Sequence, residues 1–124
     1  MPDVMVDLET LGNSSHSVIL SIGAVIFDDE RIASEFYTRV DPQSCVDHGL
    51  VVDVSTVLWW MKQNTAARAE VVKPGVPLPD ALKAFSEWIP SNTKVWGNGA
   101  TFDNVILSNA YAACGLTRPW TYRQ

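Results

Sequence analysis

At 124 residues, 47% of them hydrophobic and 19% charged, the chain is long enough for one compact domain with a core of its own. Its formal net charge of −5 argues against a broad basic surface for non-specific nucleic-acid binding, and no apolar run approaches the ~18 residues that a membrane span needs. Cys45 and Cys114 are too few and too far apart for a disulfide framework or a zinc site, and no secretory leader is visible, so two reduced thiols in a cytoplasmic protein are expected.

A first strand is predicted over 3–8, around the apolar run Val4-Met5-Val6. Residues 18–27 form a second apolar stretch, rich in β-branched side chains and broken by Ser21 and Gly23. After the polar turn Asp28-Asp29-Glu30, residues 33–40 alternate, with Phe36, Thr38 and Val40 on one face and Glu35, Tyr37 and Arg39 on the other. Three strands on short links predict an antiparallel meander, which Asp41-Pro42 ends. Ser55 is placed to cap a helix running to about Gln63, with Val54 and Trp59 at the staple positions, and a shorter helical piece covers 66–72. Pro74, Gly75, Pro77 and Pro79 mark a loop and the next helix start. Leu78, Leu82, Phe85, Trp88 and Ile89 then recur at helical spacing, one apolar face for the sheet, until Pro90. Residues 94–96 make a short strand that Gly97-Asn98-Gly99 breaks. A last helix runs from about Phe102 to Cys114, with Phe102, Ile106, Ala110 and Ala113 on one stripe and Gly115 as its stop. The order is strands, helices, strand, helix, with no repeat or linker, so one α/β domain is expected.

The end of the first strand carries the most chemistry. In Asp7-Leu8-Glu9-Thr10 the two acids point to the same sheet face, because side chains alternate along a strand. Paired carboxylates repel each other, and a hard cation such as Mg²⁺ or Mn²⁺ removes the conflict. A second strand end leads into a helix through Trp96-Gly97-Asn98-Gly99-Ala100-Thr101-Phe102-Asp103-Asn104. Asp103 lies in the first turn, where the helix dipole favours its ionised form. If this strand lies beside the first, Asp103 converges on Asp7 and Glu9 at one sheet edge. Trp59 and Trp60 offer aromatic platforms for bases, and adjacent helix positions diverge by about 100°, so one packs inward and the other faces out. Lys62, Arg68, Lys73, Lys94, Arg118 and Arg123 are candidate local cations for a strand of nucleic acid.

Asp7-Leu8-Glu9-Thr10 resembles the first motif of the DEDD 3′–5′ exonucleases, and Gly97-Asn98-Gly99 through Asp103 resembles their second. Ser21-Ile22-Gly23-Ala24-Val25 is similar to their second strand. Trp59-Trp60 with Gln63 is similar to a signature of the branch holding exodeoxyribonuclease VIII-like and RNase AS-like proteins of phages and bacteria. The resemblance implies an RNase H-like fold, a mixed sheet of three antiparallel strands and one parallel strand with flanking helices, and two-metal phosphodiester hydrolysis at the 3′ end of single-stranded DNA or RNA. It implies that Asp7 bridges two Mg²⁺ or Mn²⁺ ions, that Glu9 binds the ion activating water, and that Asp103 acts mainly through metal-bound water. It also implies that backbone groups at Thr10 and Leu11 position the terminal nucleotide, with the Leu11 side chain wedged against its base. Trp59, Asn98 and Phe102 complete the expected substrate contacts.

The family pattern continues with a fourth acid preceded by a His or Tyr that works on the water. Asp53 and Asp80 come too early in the order to serve, and His16 and His48 do not stand in for the base. A single exonuclease-like domain lacking its C-terminal portion is therefore expected: a truncated gene product, an engineered piece or a fragment of a longer enzyme. The surface left uncovered predicts self-association. Two rival readings follow. One is a non-catalytic nucleic-acid or protein-binding remnant of such an exonuclease. The other is a haloacid-dehalogenase-like phosphatase, which Asp7-x-Glu9-Thr10 loosely resembles but which a β-meander after the first strand disfavours.

Overall fold

The computed structural model describes residues 3–29, 31–91, 93–97 and 103–120. Alternation along β1 (Asp3–Thr10) buries Val4, Val6 and Leu8 on one face and turns Met5, Asp7 and Glu9 to the other. β1 pairs antiparallel with β2 (Ile19–Phe27), and β2 with β3 (Ile32–Arg39), so the meander forms as its spacing predicts. β4 (Lys94–Gly97) returns parallel to β1, with Val95 beside Val4 and Gly97 beside Val6. The strand order is β3-β2-β1-β4. Ser21 and Gly23 do not interrupt β2: both pair on either side, Ser21 with Glu9 and Arg39, Gly23 with Asp7 and Tyr37.

Among the described residues five helices connect and cover the sheet: α1 (Pro42–Asp47), α2 (Val54–Met61), α3 (Thr65–Val71), α4 (Leu78–Trp88) and α5 (Asp103–Ala113). α4 presents Leu78, Ala81, Leu82 and Phe85 to the core, with Phe85 edge-on to Phe36 of β3, as its periodicity predicts. α5 buries Asp103, Ile106, Leu107, Ala110 and Tyr111, a stripe rotated from the expected one. The larger Leu107 and Tyr111 take the core in place of Ala113, and Phe102 lies outside the described residues. Edge-to-face contacts tie Trp120 to Phe85 at 6.2 Å and to Tyr111 at 5.7 Å. The opposite sheet face, with Met5, Asp7, Val25, Glu35 and Tyr37, carries only a shallow concavity of about 500 Å³.

Two local expectations need correction. α1 falls in a stretch read as the end of the meander, yet its signals are ordinary ones. Asp41 caps it by accepting from Gln43 N, Pro42 starts it, and Gly49 at φ +90° ends it. α2 begins two residues early, at Val54, because Asp53 rather than Ser55 holds the N-cap position, and it closes at Met61 rather than Gln63. The shorter piece that follows starts at Thr65, where Asn64 accepts from Ala67 N. Gly115 stops α5 as expected: at φ +68° it lets its own N–H reach Ala112 O while Leu116 N reaches Tyr111 O.

Two buried protons follow from this packing. Burial pushes the Tyr111 phenol up to about 12 from its ordinary 10.0, with its hydroxyl bonded to Ser86 Oγ and Leu82 O. Burial likewise pushes the Cys45 thiol up to about 11 from 9.0. Both groups hold their protons more tightly folded than unfolded. The stability they add is present below pH 9 to 10 and is lost as pH rises through the folded values. The melting temperature should therefore fall steeply from pH 9 towards pH 12, and less steeply in Cys45→Ala; an equal slope in the two proteins would contradict this. Gly115→Ala should cost about 1–2 kcal/mol in urea unfolding, the penalty of a left-handed backbone at a residue with a Cβ.

Candidate active site

β4 ends at Gly97, opposite Val6, so the next β1 amide on that side has no strand partner among the described residues. Leu8 N instead donates to Asp103 Oδ2 at 3.3 Å. That bond brings the acid of α5 to the strand position between Asp7 and Glu9. Asp103 is 6% exposed at the first residue of its helix, where unpaired helical N–H groups favour an anion. Asn104 reinforces the placement by donating from Nδ2 to Val95 O at 2.8 Å, which ties the start of α5 to β4.

Asp7 and Glu9 share a face but not an environment. Asp7 is exposed beside the open concavity. Glu9 lies in a polar row across three strands, because the register sets Glu9 beside Ser21 and Ser21 beside Arg39. The buried Ser21 hydroxyl donates to Glu9 Oε1 at 2.8 Å, and Arg39 Nη1 lies 3.5 Å from the same oxygen. Arg39 Nη2 continues the row to Val71 O at the end of α3, at 3.2 Å. Sequence reasoning missed this row: Arg39 was placed on its correct face, but the register that aligns it with Glu9 is not written in any one strand.

The turn after β1 is pinned from α2. Asp53 N donates to Leu11 O, and Asn13 N donates to Asp53 Oδ2 at 2.8 Å, which is why the Asp53 carboxylate leaves its own helix uncapped. A side chain on Gly12 would collide with Ser17 Oγ and Asp53 Oδ2, at 2.5 and 2.6 Å from its Cβ. Leu11 N donates to Val18 O, and Trp60 Nε1 donates to Thr10 O at 2.9 Å. The Thr10 carbonyl and both Leu11 backbone groups are thus paired within the protein. The Thr10 hydroxyl is turned to Gly12 O at 2.7 Å.

The Leu11 side chain opens instead onto an apolar cavity of about 170 Å³. Val57, Trp60, Met61, Val71 and Val72 line it, with Arg68 as its charged residue. Of the tryptophan pair, Trp60 is the inward one. Trp59 is 54% exposed and meets the Trp60 ring edge-on at 5.0 Å. Asn98 and Phe102 lie outside the described residues.

The donor chemistry at the end of β1 fits a hard dication: the side chains there offer carboxylate oxygens. Among the described residues, however, no three acidic, histidine or cysteine side chains lie close enough to hold one ion jointly. Asp103 is delivered to the strand as expected, while Glu9 is engaged by Ser21 and Arg39. No helix among the described residues is long and apolar enough to cross a membrane.

Comparison with known proteins agrees with this arrangement. An exodeoxyribonuclease of Enterobacteria phage T4 is 26% identical over 124 residues, an alignment covering 86% of this chain and 54% of the phage protein. The chain thus spans about half the length of that relative. The profile of the 3′-5′ exoribonuclease Rv2179c-like domain matches residues 2–124. With its mixed sheet and an acid of the last helix brought to the end of the first strand, the chain belongs to the Rv2179c-like 3′–5′ exoribonuclease domain family, DEDD-type exonucleases of RNase H-like α/β fold.

Proposed function

We propose that the chain is a metal-dependent 3′–5′ exonuclease domain acting on the 3′ end of single-stranded nucleic acid, with Asp7, Glu9 and Asp103 as the ligands of Mg²⁺ or Mn²⁺. The observation that carries the reading is the bond from Leu8 N to Asp103 Oδ2, which brings Asp103 to a strand residue 95 positions earlier in sequence, between Asp7 and Glu9. Ions held there would lower the pKa of an attacking water and stabilise the leaving 3′-oxygen. Asp7, exposed at the open face, is the acid that substrate can approach most directly. The apolar cavity beside Leu11 takes the terminal base, flat against Trp60, while Arg68 adds a cation for the adjoining backbone. Trp59 offers its exposed face to the next base. The free thiols Cys45 and Cys114 suit a reducing cytoplasm.

A second reading, binding of a 3′ end without cleavage, is favoured by one observation: Glu9 already commits its carboxylate to Ser21 and Arg39. A timed assay with 5′-labelled single-stranded RNA and DNA in Mn²⁺ separates the two. Stepwise shortening from the 3′ end should fall at least about a hundredfold in Asp7→Ala, as loss of metal-site groups does elsewhere. Binding of the oligonucleotide with no shortening would favour the second reading. Shortening that survives Asp7→Ala would remove the metal assignment.

The base cavity gives a separate prediction. Trp60→Ala should raise KM by about five- to a hundredfold, the range of one lost aromatic–base stack, and lower kcat far less. An unchanged KM would place the terminal base elsewhere.

A further inference from the structure

Arg39 is an unusual residue to find beside a candidate cation site. Its side chain is only 12% exposed, and its Nε is buried without a hydrogen-bond partner. Nη1 reaches Glu9 Oε1 and, at 3.4 Å, the Tyr37 hydroxyl, while Nη2 reaches Val71 O. Among the described residues Glu9 is the carboxylate within ion-pair distance of this guanidinium. Glu70 on α3 also feels the charge, but it is tied to Lys73, which holds its carboxyl below the ordinary range. A largely buried cation is costly unless a carboxylate balances it. Glu9 does so, and its own 45% exposure keeps that same carboxylate reachable from solvent.

We propose that Arg39 is the resident counter-cation of Glu9 and competes with a divalent ion for that carboxylate, an inference that rests on the metal reading above. Three features support it. The register fixes Glu9, Ser21 and Arg39 in one row, so the pair is built into the sheet and does not depend on a loop. Ser21 holds Glu9 Oε1 on the side of Arg39. The Val71 carbonyl holds the guanidinium in place from α3. A dication arriving at Glu9 meets a fixed positive charge, and like charges at this range repel in proportion to the product of their charges. Arg39 therefore sets a threshold: Glu9 stays ordered without an ion and accepts one only when the other acids hold it strongly enough.

The test is direct Mn²⁺ binding to the full chain by calorimetry and electron paramagnetic resonance, with a thermal melt of every variant. Arg39→Gln should bind Mn²⁺ about tenfold more tightly than the wild type, equivalent to about 1.4 kcal/mol. Arg39→Lys, which keeps the charge, should stay near wild type, and Glu9→Gln should bind more weakly. The melts supply a readout without metal: Glu9→Gln should lower the melting temperature more in the wild type than in the Arg39→Gln background, since only the former leaves a buried cation without its acid. Equal or weaker Mn²⁺ binding in Arg39→Gln, or melting effects that simply add, would overturn the competition while leaving the metal site standing. No Mn²⁺ binding in wild type and Arg39→Gln alike would overturn the metal reading, and the competition with it.

Discussion

Among the described residues the last parallel partner of β1 is Gly97, opposite Val6, and the Leu8 amide takes an acceptor outside the sheet. A backbone donor at the edge of a core cannot be left unpaired without a cost comparable to a whole hydrogen bond. The Asp103 carboxylate fills the position. Much of the architecture serves that one contact. β4 pairs with β1 from Asp3 to Val6, two residues short of Leu8. Asp103 lies in the first turn of α5, where the helix dipole supports the anion. Ile106, Leu107, Ala110 and Tyr111 lock the helix into the core, and Asn104 ties its first turn back to Val95. The approach of Asp103 to the end of β1 is thus tied to the pairing of one backbone amide.

The physics of the sequence explains which parts of this were legible. Period-2 alternation located the meander, and period-3.6 recurrence located α4, because burial of one face selects those patterns directly. The strand-end acids were legible for the same reason. α1 was missed because six residues with Cys45 as their buried member carry almost no periodicity, although Asp41, Pro42 and Gly49 spell out both of its ends. Asp and Ser serve equally well as N-caps, and the start of α2 is decided by contacts distant in sequence, Asp53 N to Leu11 O and Asn13 N to the Asp53 carboxylate. The polar row of Glu9, Ser21 and Arg39 was beyond a single-sequence reading. A shift of one residue in either strand pair would have turned its members to opposite faces.

That row changes how the acids at the end of β1 should be compared. On a flat reading, Asp7 and Glu9 are equivalent neighbours. In the folded chain Asp7 stands on the open side of the sheet, whereas Glu9 is built into a cross-strand network with a largely buried guanidinium at its far end. Removal of one partner from such a network costs more than the pair itself contributes, because the other charge is left desolvated. Glu9 is thus tied into the stability of the sheet in a way that the exposed Asp7 is not.

The helix pair above the apolar cavity shows the same economy of anchors. Neither α2 nor α3 contains a fully buried residue, so little apolar burial holds them down, and elements of that kind open at low free energy. Two of the polar contacts that do hold them run to the site: Trp60 to the Thr10 carbonyl, next to Glu9 in sequence, and Arg39 to Val71 O from the guanidinium paired with Glu9. The cavity wall and the Glu9 carboxylate are therefore linked through the same few bonds. Any shift of α3 that moves Val71 also moves the acceptor steadying Arg39, so the shape of the cavity and the charge beside Glu9 are set together.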